Sequence, residues 1–181
     1  MNLPNLISLA RLLLVPVTVW LLVANEMMAA FWVFVAAGLS DAVDGFIAKR
    51  FNMSTELGRY LDPLADKALL VSVYVTLGIR GVLPDWLVIL VVTRDVLILG
   101  GMALALMLSM PLPLRPAIVS KVNTALQIIL AATTLMGAGF ALPIETLTMP
   151  LVYAVAALTV LSGAYYLARW MRASAALGKS E

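Results

Sequence analysis

Six apolar stretches, residues 6–24, 27–48, 57–79, 84–110, 118–141 and 147–171, follow one another with only short breaks between them. Each is close to the ~20 residues that a helix needs to cross a bilayer. The expected fold is therefore all-α: an integral membrane protein of six transmembrane helices forming one domain over residues 1–181. The mean hydropathy of +1.03 agrees, well above that of a water-soluble domain. The first stretch has no Lys or Arg before Arg11 and no small-residue cleavage site, so it reads as a retained helix and not as a signal peptide. PLPLRP, residues 111–116, is the clearest break between helices.

With six spans both termini share one side. Lys49, Arg50, Arg59, Arg115, Lys121, Arg169, Arg172 and Lys179 fall there, with Arg11 just inside the first helix, while the opposite turns contribute only Arg80. Short cytoplasmic loops collect Lys and Arg, so both termini are expected to face the cytoplasm, in what reads as a bacterial inner membrane. No nucleic-acid partner is expected.

Against this apolar background Asp41, Asp44, Asp62 and Asp66 lie within one short stretch, SDAVDGFIAKRFNMSTELGRYLDPLADK. The spacing of three between Asp41 and Asp44 puts both on one helical face, and so does the spacing of four between Asp62 and Asp66. The two pairs sit at the facing ends of the second and third spans, where a short loop can bring them together. An ionisable group within a membrane segment is costly unless it has a partner, which makes it a functional candidate. The chain contains no Cys and no His. Thiolate and imidazole chemistry is thereby excluded, and carboxylates, Lys, Arg, Tyr and hydroxyls remain to carry any reaction. Four carboxylates without His or Cys select hard cations such as Mg²⁺, Mn²⁺ or Ca²⁺. Two such ions would offset the repulsion and could clamp a phosphate. Gly45 and Ala48 leave room beside them for a substrate. A cation transporter's site is the main alternative, although no inverted repeat or matching pair of broken helices accompanies it.

The pattern Asp41-x-x-Asp44-Gly45-x-x-Ala48 followed by Gly58-x-x-x-Asp62-x-x-x-Asp66 resembles the signature of the CDP-alcohol phosphatidyltransferases. The resemblance extends to the six spans and to the opening NLPNLISLARLLLVP. It implies a CDP-linked lipid donor, usually CDP-diacylglycerol, whose β-phosphorus is attacked by an alcohol as CMP leaves. It further implies two divalent cations, Mg²⁺ or Mn²⁺, held by Asp41, Asp44, Asp62 and Asp66, with Asp66 also the general base. Cytidine diphosphate would lie along Asp41, Asp44, Gly45, Ala48, Lys49, Gly58 and Asp62, and a homodimer is implied as well. One departure stands out. The family usually carries Arg directly after the Ala, and Lys49 keeps that charge but loses the planar fork that suits phosphate.

The acceptor must be read outside the shared motif. Arg94, Arg115 and Lys121 are candidates for holding an acceptor's phosphate; Arg94 and Asp95 could instead form a buried structural ion pair, although adjacent residues point about 100° apart on a helix and are expected to find separate partners. Residues 5–16, the Arg94-Asp95 pair and SKVNTALQ, residues 120–127, look most like the family members that use phosphatidylglycerol and form cardiolipin. The alternative is transfer to glycerol 3-phosphate.

Overall fold

The computed structural model describes the backbone of residues 3–51, 56–107 and 118–177, and the side chains of residues 9–41, 43, 65–101, 107 and 118–171. The regular structure among them is entirely helical. The helices are α1 Leu3–Val23, α2 Met27–Phe51, α3 Glu56–Ile79, α4 Asp85–Met107, α5 Ile118–Phe140 and α6 Glu145–Leu177. These elements coincide with the six apolar stretches to within a few residues at most ends. Among the described residues, Ile118–Phe140 and Glu145–Met171 are long and apolar enough to cross a membrane, and the apolar parts of α1 and α2, Leu9–Val23 and Met27–Asp41, are shorter.

Helices α1, α3 and α5 end in the same way. Asn25, Gly81 and Ala141 take left-handed φ values of 67°, 69° and 51°. The amide just beyond each reaches back to a carbonyl in the last turn, Glu26 to Leu21 at 2.9 Å, Val82 to Leu77 at 2.9 Å and Leu142 to Gly137 at 3.0 Å. This pairing satisfies carbonyls that a helix end leaves open and turns the chain sharply. Arg80, the only basic residue among these turns, donates from Nη1 to the carbonyls of Leu22 and, at 3.2 Å, Val23, and from Nη2 to Asn25 Oδ1 at 2.6 Å. A guanidinium at the C-terminal end of α1 also suits the negative end of its helix dipole. It ties α1 to α3 at the end of the bundle away from the aspartates.

Helix α1 packs chiefly on α3 and α2, α5 on α6 and α2, and α4 on α6 and α3. The core is built from Leu22, Ala30, Ala37, Val73, Tyr74, Leu77, Leu87, Val91, Leu130, Leu135 and Val155, all completely buried. Tyr74 carries its hydroxyl into that core and donates it to the Gln127 carbonyl at 3.0 Å, linking α3 to α5. The exterior is also apolar: Leu13, Trp20, Ile79, Ile89, Leu97, Tyr153 and Leu161 are exposed, whereas Arg11, Arg94, Asp95, Asn123 and Gln127 are buried.

At Gly139, α5 meets the start of α2 backbone to backbone. A Cβ there would lie 2.9 Å from both Met28 Cα and Met28 N and 3.1 Å from the Met27 carbonyl carbon. Gly139→Ala should therefore destabilise the fold by about 1–3 kcal/mol through overpacking. The intrinsic helix preference for Ala works in the opposite direction by about 1 kcal/mol. Thermal unfolding of the purified protein decides between them, and a raised melting temperature would show that α2 and α5 are not held this close.

Candidate active site

Because α1 packs on both aspartate-bearing helices, a side chain of α1 can reach α2 and α3 at once. Arg11 does so. Its Nη1 lies 2.6 Å from Asp41 Oδ1 and also contacts Asp66 Oδ1. The guanidinium is almost fully buried, with a side-chain exposure of 1%, whereas Asp41 and Asp66 are 43% and 41% exposed. Carboxylates from two helices thus converge on one cationic nitrogen.

Of the four expected metal-holding aspartates, the structure describes the side chains of these two and brings them together. Asp44, Gly45, Ala48, Lys49, Gly58 and Asp62 lie on α2 and α3 with side chains outside the described residues. Arg115 lies outside the described residues altogether. Among the described residues no three His, Cys, Asp or Glu side chains gather in a metal-holding group. Asp41 and Asp66 nevertheless fit a divalent cation: they are hard oxygen donors, and the point between them already accommodates positive charge.

One residue beyond Asp66 begins a second polar cluster. Lys67 Nζ donates to both carboxylate oxygens of Asp95, at 3.0 and 2.8 Å, and lies 3.4 Å from Thr124 Oγ1. Arg94 Nη1 donates to Asp95 Oδ1 at 2.6 Å, Nη2 to Ser120 Oγ at 2.5 Å and Ser162 Oγ at 2.6 Å, and Nε to Ser162 Oγ at 3.2 Å. The expectation that Arg94 and Asp95 find separate partners is therefore corrected in part. They bond each other as a buried ion pair, and Asp95 is shared with Lys67 as well. Every nitrogen of the Arg94 guanidinium is engaged within the bundle, and the residue is 4% exposed. Lys121 is exposed on the first turn of α5. Deeper along α5, Asn123 accepts from Thr159 Oγ1 at 3.2 Å.

Sequence reasoning counted Arg11 only as a charge on the cytoplasmic side and did not use Lys67 or Ser162. A signal was present for the two cations. Both are ionisable residues within apolar stretches, the same ground on which the aspartates were singled out. Ser162 carries no comparable signal, because a hydroxyl within an apolar helix can bond its own backbone.

The family model for CDP-alcohol phosphatidyltransferases matches residues 1–162. The chain belongs to that family. Among the most similar relatives of this phosphatidyltransferase chain is the cardiolipin synthase (CMP-forming) of Rattus norvegicus, 33% identical over 180 residues. That match covers 91% of this chain and 59% of the rat protein. The cardiolipin synthase (CMP-forming) / mitochondrial hydrolase fusion protein of Schizosaccharomyces pombe is 34% identical over 180 residues, covering 91% of this chain and 30% of that protein. A chloroplastic CDP-diacylglycerol--glycerol-3-phosphate 3-phosphatidyltransferase 1 of Oryza sativa subsp. japonica is 35% identical over 153 residues, covering 75% of this chain and 46% of its own length. The phosphatidyltransferase chain thus spans between about a third and three fifths of the length of these relatives.

Proposed function

We propose that this chain is a single-domain integral membrane enzyme that transfers the phosphatidyl group of CDP-diacylglycerol to phosphatidylglycerol, releasing CMP and forming cardiolipin. The observation that carries the reading is the convergence of Asp41 and Asp66, from two different helices, on a single cationic point. The names of the rat and yeast relatives, which match nearly the whole chain, support the acceptor.

Asp41, Asp44, Asp62 and Asp66 would hold two divalent cations, Mg²⁺ or Mn²⁺, and Lys49, Gly45, Ala48 and Gly58 would line the cytidine diphosphate. When bound, the metals neutralise the charge that builds on the departing CMP. The acceptor hydroxyl oxygen attacks the phosphorus attached to diacylglycerol. A new P–O bond forms, the P–O bond to CMP breaks, and the acceptor proton passes to an Asp66 carboxylate oxygen. The Asp66 side chain is 41% exposed, so a substrate can approach it. Positioning of the two substrates supplies much of the remaining rate.

Six transmembrane helices with both termini cytoplasmic suit a donor and an acceptor that are both lipids. The apolar exterior around a polar, charged interior supports that placement. The compared relatives come from a rat, a yeast and a plant, so the expectation of a bacterial inner membrane finds no support among them. With Arg94 engaged inside the bundle, Arg115 and Lys121 remain the stronger candidates for the acceptor's phosphate. The chain is proposed to work as a homodimer. The likeness to the rice protein favours glycerol 3-phosphate as a second reading.

Purified protein with CDP-diacylglycerol, Mn²⁺ and each acceptor in turn tests both readings. Cardiolipin should form from phosphatidylglycerol, and removing the metal with a chelator should reduce CMP release to background. Exclusive use of glycerol 3-phosphate would replace the first reading by the second. Full activity in the presence of chelator would overturn the metal-dependent mechanism in both.

A further inference from the structure

We propose that Asp95 is a positioning residue for the reaction: its carboxylate holds the Lys67 ammonium on the α4 and α5 side of α3 and so keeps that charge off the neighbouring carboxylate of Asp66. The inference deepens the reading of Asp66 as the base and rests on it. Lys67 follows Asp66 directly on α3. Its ammonium has three protons and meets three oxygens, the two of the Asp95 carboxylate at 3.0 and 2.8 Å and Thr124 Oγ1 at 3.4 Å. These oxygens belong to α4 and α5, whereas Asp66 meets Arg11 of α1. Two adjacent charges therefore leave α3 in different directions.

Adjacency on a helix does not by itself keep such charges apart. Arg94 and Asp95 are also neighbours in sequence, and their side chains bond at 2.6 Å. Lys67 ends in a compact charge on a flexible stem, and its side chain is 18% exposed where that of Asp95 is 1% exposed. Packing therefore fixes the carboxylate more firmly than the ammonium. What directs Lys67 is the anion. If Asp95 loses its charge, the Thr124 hydroxyl is left as a neutral partner, and Asp66, one residue away, becomes an attractive alternative, because opposite charges draw together strongly where water is scarce. An ammonium bonded to Asp66 would occupy a carboxylate oxygen that the acceptor hydroxyl has to reach. Arg94 is not released in the same way, since its other nitrogens are held by Ser120 and Ser162.

The test is CMP release from CDP-diacylglycerol by the full-length protein in detergent, with Mn²⁺ and the acceptor that the wild type uses, at a temperature where the compared variants are folded. Asp95→Asn is expected to lower kcat about tenfold, a coupling of the size found between contacting residues. Lys67→Gln should stay within about threefold of wild type, and adding Lys67→Gln to Asp95→Asn should bring kcat back to that level. Rescue by removing a second member of the ion pair is what a merely structural role would not give. On that role the double variant, which has lost the whole pair, is no faster than Asp95→Asn. That outcome overturns the proposal, as does an unchanged kcat in Asp95→Asn or a tenfold loss in Lys67→Gln, about the size expected of Asp95→Asn itself. Should Asp95→Asn not fold alone, the double variant carries the test: a kcat near wild type supports the proposal, and a loss of about tenfold or more overturns it. Asp66→Asn in the same series separates the two readings. If it is as active as wild type, the base assignment fails and the proposal with it; if it is impaired and the double variant is not rescued, the failure belongs to the Asp95 proposal alone.

Discussion

Replacing Asp66 by Asn is expected to lower the rate of CMP release by about a hundredfold to ten-thousandfold, the range that a positioned general base contributes. The amide keeps the shape of the side chain and one oxygen for Arg11, so the fold should survive. On the proposed mechanism, what disappears is the site for the acceptor's proton and one metal-binding charge. Raising Mn²⁺ separates those two losses. In Asp41→Asn, where only a ligand is weakened, high metal should restore much of the rate. In Asp66→Asn it should not, because no concentration of metal supplies the missing base. An Asp66→Asn protein that returned to the wild-type rate in high Mn²⁺ would reduce Asp66 to a ligand. A variant as active as wild type at ordinary metal would sink the assignment entirely.

Asp95→Ala should produce the largest loss of stability, about 3–5 kcal/mol, the cost of breaking a buried ion pair by removing one partner. The carboxylate is 1% exposed and is the shared anion of Lys67 and Arg94. Without it two cations remain close together in the bundle, beside the hydroxyls of Ser120, Thr124 and Ser162. The loss is a large part of the 5–15 kcal/mol, in round terms, that holds a typical domain together. Thermal unfolding in detergent should show it, and the protein should lose its monodisperse peak first at elevated temperature. Asp95→Asn combined with Lys67→Gln should recover part of the loss, since one cation leaves with the anion, and coupled neighbours deviate from additivity. If Asp95→Ala melted with wild type, Asp95 could not be the anion that holds α3 and α4 together.

The two variants act on adjacent residues of α3, Asp66 itself and Lys67, the partner of Asp95. Asp66 faces Arg11 of α1, and Lys67 faces Asp95 of α4. Successive helical residues point about 100° apart, so the two contacts anchor α3 from different directions. Damage at Asp95 is therefore expected to reach the rate as well as the melting temperature, through the placement of Asp66. Comparison of the two variants at a temperature where both are folded separates the effects.

Much was legible in the chain alone. Apolar stretches near the length of a bilayer span are a property of consecutive residues, and the six helices follow them closely because helix formation needs no distant partner. The spacing of Asp41 from Asp44, and of Asp62 from Asp66, belongs to the helix period and is equally local. The absence of His and Cys narrowed the chemistry to carboxylates and hard cations without any coordinates. The family signature followed from seven positions at defined intervals.

What only the tertiary structure decided is which charges meet. Arg11 is 30 residues from Asp41 and 55 from Asp66. Nothing in the period of α1 says that it packs on both α2 and α3. Likewise the sharing of Asp95 between its neighbour Arg94 and distant Lys67 depends on how α3 and α4 are placed around Ser120 of α5 and Ser162 of α6. A buried ion pair is set by packing that brings two chain segments together, and its energy depends on the water excluded there. Neither quantity is written in the order of residues. The sequence by itself determined the helices and the carboxylate-bearing faces, and the packing of α1 across α2 and α3 placed a cation between them.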